Sequence, residues 1–175
     1  MKSNPKSSSS LALTDSRLEL WRDPDWQRLW LSLQRRPWRS LAIVPAGEGG
    51  PADLTLRVAV TLARTGMVHL GAPVQVADAT KLSLAHLTQF VEEVRRCTSD
   101  GDHILLALAP THKNAMTVSI AQSADSALLC VLLDRMASSQ AKKTVDQIGQ
   151  NRFVGSAIFR SSEIPDPPSV RPPPR

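Results

Sequence analysis

The chain has no tyrosine, only two cysteines, and eight glycines against thirteen prolines in 175 residues. Cys97 and Cys130 cannot build a disulfide framework, and without C-x-x-C spacing they make no zinc site. A reducing cytoplasm is the expected compartment. The longest strictly apolar runs, Ile104–Ala109 and Ala127–Leu133, fall far short of the ~18 residues of a membrane span. The first residues lack the apolar stretch of a secretory signal. No G-x-S-x-G elbow is present, and His69, His86, His103 and His112 are scattered without ligand spacing, so no metal site is expected. The length suits one domain with tails, since domains commonly run to about 100–150 residues.

What is present begins with charge. The formal net charge is +5, but residues 40–159 carry 10 basic and 10 acidic side chains. The excess lies at the ends: 8 basic against 4 acidic in residues 1–39, and 3 against 2 in residues 160–175. Nucleic-acid binding needs basic groups concentrated on one folded face, which these totals do not supply, so nucleic acid is not an expected partner. Basic ends suit acidic lipid or an acidic partner better. Residues 1–16, rich in Ser and Lys, read as a disordered segment, and residues 161–175 as an extended Pro-rich tail.

Between the tails, apolar runs alternate with helical periodicity. Strands are expected over Ser40–Ala46, Pro73–Asp78, Asp102–Ala109, Ala127–Leu133 and Val154–Phe159. Helices are expected over Asp53–Arg64 with Gly66 as stop, Ser83–Cys97, Asn114–Ser123 and Ser138–Gln150. Nearly continuous apolar strands separated by helices predict an α/β fold: three layers, with a mostly parallel sheet of five or more strands covered on both faces. That domain should span residues 40–160. Residues 17–39 should form a separate leading helix, started by Asp23-Pro24. Its stripe of Trp26, Leu29, Trp30 and Leu33 has two readings, packing on the sheet-covering helices or docking another subunit.

The first strand runs through "PAGEGGPADL", Pro45 to Leu54, into a helix. Strand, Gly-rich turn and helix is the setting in which backbone N–H groups cradle a phosphate. Here the chain resembles a family, the cytoplasmic ATPase domains of bacterial tyrosine kinases that regulate capsule and exopolysaccharide export, in the MinD/ParA-like branch of P-loop proteins. "SLAIVPAGEGGPADLTLRVAVTLARTG" looks like that family's first strand, phosphate loop and first helix. "VQVADAT" stands where its second strand delivers an acidic motif, and "DHILLALAP" where its Walker B strand ends in proline. "AQSADSALLCVLL" and "RFVGSAIF" match the later core strands, and Asp25 and Arg28 match part of its leading acidic-and-Arg pattern.

The resemblance implies a P-loop NTPase-like fold with a vestigial nucleotide site at Gly47, Glu48, Gly49, Gly50 and Asp78. The family's Lys is replaced by Gly50, its Mg²⁺-holding hydroxyl by Pro51, its second acid by Thr80 and its Walker B Asp by Ala107. Phosphoryl transfer depends on such charge stabilisation, so no catalytic residue is expected. Lacking tyrosine, the chain also lacks the family's phosphorylation target. The expected function is a catalytically inactive binding and regulatory module of envelope polysaccharide synthesis or export. No cofactor is expected, with weak ATP binding left open. The implied partner is the cytoplasmic part of a membrane chain-length regulator or a paralogous kinase, at the inner face of the membrane. A homo-oligomer is the other arrangement, and Asp25, Trp26, Arg28 and Trp30 are the expected partner-binding residues. Two alternatives stay open: an ATPase with a deviant loop, using Lys81, Lys113 or a partner's Arg, and a MinD/ParA-type positioning protein.

Overall fold

Asp23 and Pro24 do what their chemistry predicts at a helix start. In the structure, a computed structural model describing residues 22–165, helix α1 spans Pro24–Leu33, and the Asp23 carboxylate accepts the Asp25 N–H at 2.8 Å. The segment 1–16 and the tail beyond Pro165 lie outside the described residues. After α1 the chain alternates strand and helix: β1 (Ser40–Pro45), α2 (Leu54–Leu70), β2 (Val74–Asp78), α3 (Leu84–Ser99), β3 (His103–Ala107), α4 (Met116–Ser123), β4 (Ser126–Leu132), α5 (Ser138–Ile148) and β5 (Phe153–Phe159). Among the described residues no helix is long and apolar enough to cross a membrane.

The five strands form one parallel sheet in the order β2-β3-β1-β4-β5. This is the three-layer α/β fold expected from the alternation. The order decides which face each helix covers. Parallel strands joined by right-handed crossovers place a helix on one face when the chain moves one way along the sheet, and on the other when it moves back. Only the step from β1 to β2 moves in its direction, so α2 covers one face and α3, α4 and α5 the other. Side chains divide accordingly, at the two-residue period of a strand. Leu41, Ile43, Leu105 and Leu128 pack with Val58 and Leu62 of α2, whereas Ala42, Val44, Ile104 and Leu106 pack with Ile120 and Ile148.

Helix α1 joins α2, and this settles the reading of its Trp stripe. Trp26 and Trp30 are buried, Trp30 at 1% exposure. Trp26 stacks on Phe159 with centroids 5.6 Å apart, and Trp30 meets Trp38 edge-on at 5.7 Å. Their side chains belong to the core and present nothing to a partner, so the docking expectation for Trp26 and Trp30 gives way to packing. The physical reason is area: α1 lies against α2 and β5, and its indole rings cover more apolar surface there than any other side chain could. Of the four expected partner-binding residues, Asp25 and Arg28 remain exposed, paired to each other at 2.8 Å.

A second correction concerns Gly66. It does not stop the helix. Helix α2 continues to Leu70 and ends on Gly71, in the left-handed region at φ 64°, whose N–H bonds Met67 O. Gly66 lies buried in the helix interior because a side chain there would strike the Trp30 ring: a Cβ would stand 2.6 Å from Cζ2 and Cζ3, and nearer still to Cη2. The signal taken for a terminator is a close approach between helices.

Candidate functional site

In open parallel sheets ligands bind beyond the carboxyl ends of the strands, where neighbouring strands send their helices to opposite faces. Here that point is the end of β1, because β3 and β4 on either side both feed the other face. A cleft of about 130 Å³ lies there, floored by Gly47, Gly50, Leu54 and Thr55, with Lys81 and Lys113 on its rim. Ligand pockets commonly measure roughly 300–1,000 Å³, so this one is small.

The Gly-rich turn is held from several sides. Gly49 has φ 98°, and a Cβ on it would come 2.8 Å from the Arg135 carbonyl oxygen. The Thr144 hydroxyl donates to Ala46 O at 3.2 Å. The Glu48 N–H, a group that could face an anion, donates to Gln140 Oε1 at 3.3 Å. The Gln140 side chain also fills the space a Cβ on Gly47 would need. Across the turn, Glu48 Oε1 meets His112 Nε2 at 2.8 Å, tying the turn to the loop after β3. A carboxamide oxygen of this chain therefore occupies a donor that a phosphate oxygen would use.

The helix that follows begins late. Its first residue is Leu54, whose N–H bonds Pro51 O, and Asp53 stands at its N-terminus. Arg57 Nε lies 2.9 Å from Asp53 Oδ2, an ion pair without the alignment of a hydrogen bond. A carboxylate at the positive end of a helix takes the place an anion would favour. Gly50 leaves little room for a longer side chain, since its Cβ would stand 3.0 Å from Leu132 Cδ1 and 3.3 Å from Leu54 Cδ2 and Met136 Cε.

The remaining expected residues fall in different places. Asp78, at the exposed end of β2, closes a turn by accepting the Thr80 N–H at 3.0 Å and the Thr80 hydroxyl at 2.6 Å; it does not line the cleft, although Thr80 does. Ala107 is fully buried in the core. Asn114 opens α4, accepting the Met116 N–H and donating to Leu82 O. The structure thus brings together Gly47, Gly49, Gly50, Glu48, Lys81 and Lys113, and leaves Asp78 to one side. Gln140 was missed by sequence reasoning, because only the strand order puts the start of α5 beside β1. Among the described residues no group of three or more His, Cys, Asp or Glu side chains could hold a metal.

At the opposite end of the strands Asp125 Oδ2 accepts the N–H groups of Arg39 and Ser40, both at 2.8 Å, and the Ser40 hydroxyl at 3.0 Å. Burial pushes its carboxyl up, but these bonds and the Arg152 charge outweigh it and hold the group below the usual carboxylate range. Beside it His103 is held below its ordinary value, first by burial and then by Arg39, with Asp102 opposing. Trp38 meets the imidazole edge-on at 5.2 Å. Neither a family model nor a curated protein matches this chain.

Proposed function

We propose that the chain is a catalytically inactive relative of the polysaccharide-export tyrosine kinases, a binding and regulatory module rather than a phosphoryl-transfer enzyme. The observation that carries this reading is the occupied turn. The Glu48 N–H is turned to Gln140, Gly50 and Pro51 offer no cation or hydroxyl, and the Asp53 carboxylate stands at the N-terminus of the helix that should meet an anion. The rate of phosphoryl transfer comes from positioned cations and donors around the moving group, and this cleft supplies few of either. Its role in envelope polysaccharide synthesis, its partner (the cytoplasmic part of a membrane chain-length regulator or a paralogous kinase) and its place in the cytoplasm at the inner face of the membrane come from the family resemblance alone.

The test is calorimetry with ATP and ADP in the presence of Mg²⁺, alongside a phosphate-release assay. The expected result is no turnover and no saturable binding at ordinary nucleotide concentrations. Steady hydrolysis that Lys81→Ala or Lys113→Ala abolishes would overturn the reading. It would instead favour an ATPase with a deviant loop, whose one supporting observation is that these two lysines border the cleft.

A further inference from the structure

Strand β5 ends the sheet and pairs with β4 alone. Phe159 O accepts the Leu133 N–H at 3.0 Å, so Phe159 turns its backbone polar groups toward β4. At the two-residue period of a strand, Ala157 and Gly155 do the same. Ser156 and Ile158 therefore turn their N–H and C=O groups outward, where no described residue pairs with them. The space beside them is open. A groove of about 350 Å³ is lined there by Trp26 and Leu29 of α1 and by Ser156, Ala157, Ile158 and Phe159.

Exposed sheet edges are usually blunted by charged side chains, proline or a bulge. β5, with the sequence FVGSAIF, has no charge and no proline. Its bulge stands opposite Ala127 and Leu128, and the register then runs unbroken from Gly155 to Phe159. Apolar side chains accompany the open edge. Ile158 is the register partner of Val131, so the two share a face, and Leu133 follows two residues beyond Val131 on that face. It is opposite to the face on which Ala157 and Phe159 join the core. Ile158 is 57% exposed and Leu133 60%, so no helix covers this corner.

We infer that β5 pairs antiparallel with β5 of a second copy of the chain, extending the sheet across a two-fold axis. The register follows from the backbone. Residues that exchange both bonds across an antiparallel pair must both face outward. Ser156 of each copy then faces Ile158 of the other, with Ala157 on the axis. Every N–H and C=O that these residues turn outward is satisfied. The two Ile158 side chains become diagonal neighbours on one face, about 7–8 Å apart, and shield each other from water.

Charge favours this occupant. The acids of the groove, Asp23, Asp25 and Glu163, gather at the Phe159 end of the edge, where Trp26 stacks on Phe159. Antiparallel pairing sets that end beside the start of the other copy's strand, where residues 150–155 carry Arg152 and no acid. A two-fold contact repeats this opposite-charge approach at both ends. Nucleic acid or an anionic lipid surface would instead be repelled by the same acids. None of the edge residues lines the cleft, so the inference stands whatever the cleft binds.

The experiment is sedimentation equilibrium of the full-length protein over a range of concentrations. The expected species is a dimer that dissociates on dilution. Ile158→Lys sets two like charges together and removes two buried isoleucines per dimer, so association should weaken by roughly 100-fold or more. Ser156→Pro removes an outward N–H and should also weaken it, while the edge strand of a single copy tolerates the proline. Leu84→Lys, 70% exposed at the start of α3, should leave the dimer intact. Unchanged far-ultraviolet circular dichroism would show that the variants remain folded. In the wild-type protein the Ser156 and Ile158 amides should exchange slowly at dimeric concentrations and faster on dilution, a readout that needs no variant. A monomer at every concentration would overturn the inference. So would a dimer whose Ser156 and Ile158 amides exchange freely, or one that both folded edge variants leave as tight as wild type.

Discussion

Replacing Gly66 with Ala sets two effects of opposite sign against each other. In an ordinary helix interior the change gains about 1 kcal/mol, because Gly loses the most backbone freedom on folding. At Gly66 the new methyl enters the Trp30 ring, with 2.6 Å to two ring carbons and a third closer still. Relief would require the ring to move, but Trp30 is 1% exposed and lodged against Trp38. Overpacking of this kind costs typically 1–3 kcal/mol. With no soft neighbour the upper end applies, so the net expectation is a loss of about 2 kcal/mol against the propensity gain. For a chain of this size that corresponds to a melting temperature lower by roughly 4–8 °C. Urea titration followed by circular dichroism measures it directly. A double-mutant cycle isolates the cause: in a Trp30→Leu background the clash is gone, and the same Gly66→Ala change should become stabilising by up to about 1 kcal/mol. If Gly66→Ala stabilises the wild-type protein, or has the same effect in both backgrounds, the close-approach account of this glycine is wrong.

Trp30→Ala should cost about 3–5 kcal/mol in urea unfolding, as truncation of a buried Trp does, and a folded variant of near wild-type stability would refute its place in the core. His103 is held below 6.5 in the folded protein, so the unfolded chain takes up the proton first; stability should be full above about pH 6.5 and decline as pH falls through the folded value. His103→Gln should flatten that slope, and an unchanged slope would assign it elsewhere. Asp125, also depressed, contributes stability that is present above its ordinary value of 3.8 and lost as pH falls through its lower folded value, so Asp125→Asn should reduce the acid sensitivity of unfolding below about pH 4. Gln140→Ala should release the Glu48 amide and speed its hydrogen exchange, whereas unchanged exchange would show that Gln140 does not hold the turn.

Element order was legible because buried parallel strands write themselves as unbroken apolar runs. β1, β3 and β4, whose side chains are almost all buried on both faces, match their expected limits within a residue or two. The ends of helices were less so. Gly66 and Gly71 stand five residues apart and look alike in one dimension; what separates them is whether a Trp ring lies above the position, a fact of tertiary packing. The Trp stripe was ambiguous for a related reason. A strip of Trp and Leu at helical spacing says that one face is apolar, but not whether sheet or solvent lies beneath it. Only the position of α1 against α2 and β5, with Trp26 on Phe159, decides that question.

The cleft shows the same limit at the level of chemistry. Gly50 and Pro51 can be read along the chain, because they stand in the contiguous turn between β1 and α2. Gln140 stands in no motif. It lies 92 positions from Glu48 and reaches the turn because β4 is the neighbour of β1, which delivers the start of α5 to the same edge. The two features reinforce one another physically. With no cation at position 50 to draw an anion in, a neutral carboxamide satisfies the exposed amide at little cost, and the turn closes on its own chain. Placing Lys at position 50 alone would therefore not build a phosphate site, since the side chain would meet Leu132, Leu54 and Met136, and the Glu48 amide would remain bonded to Gln140.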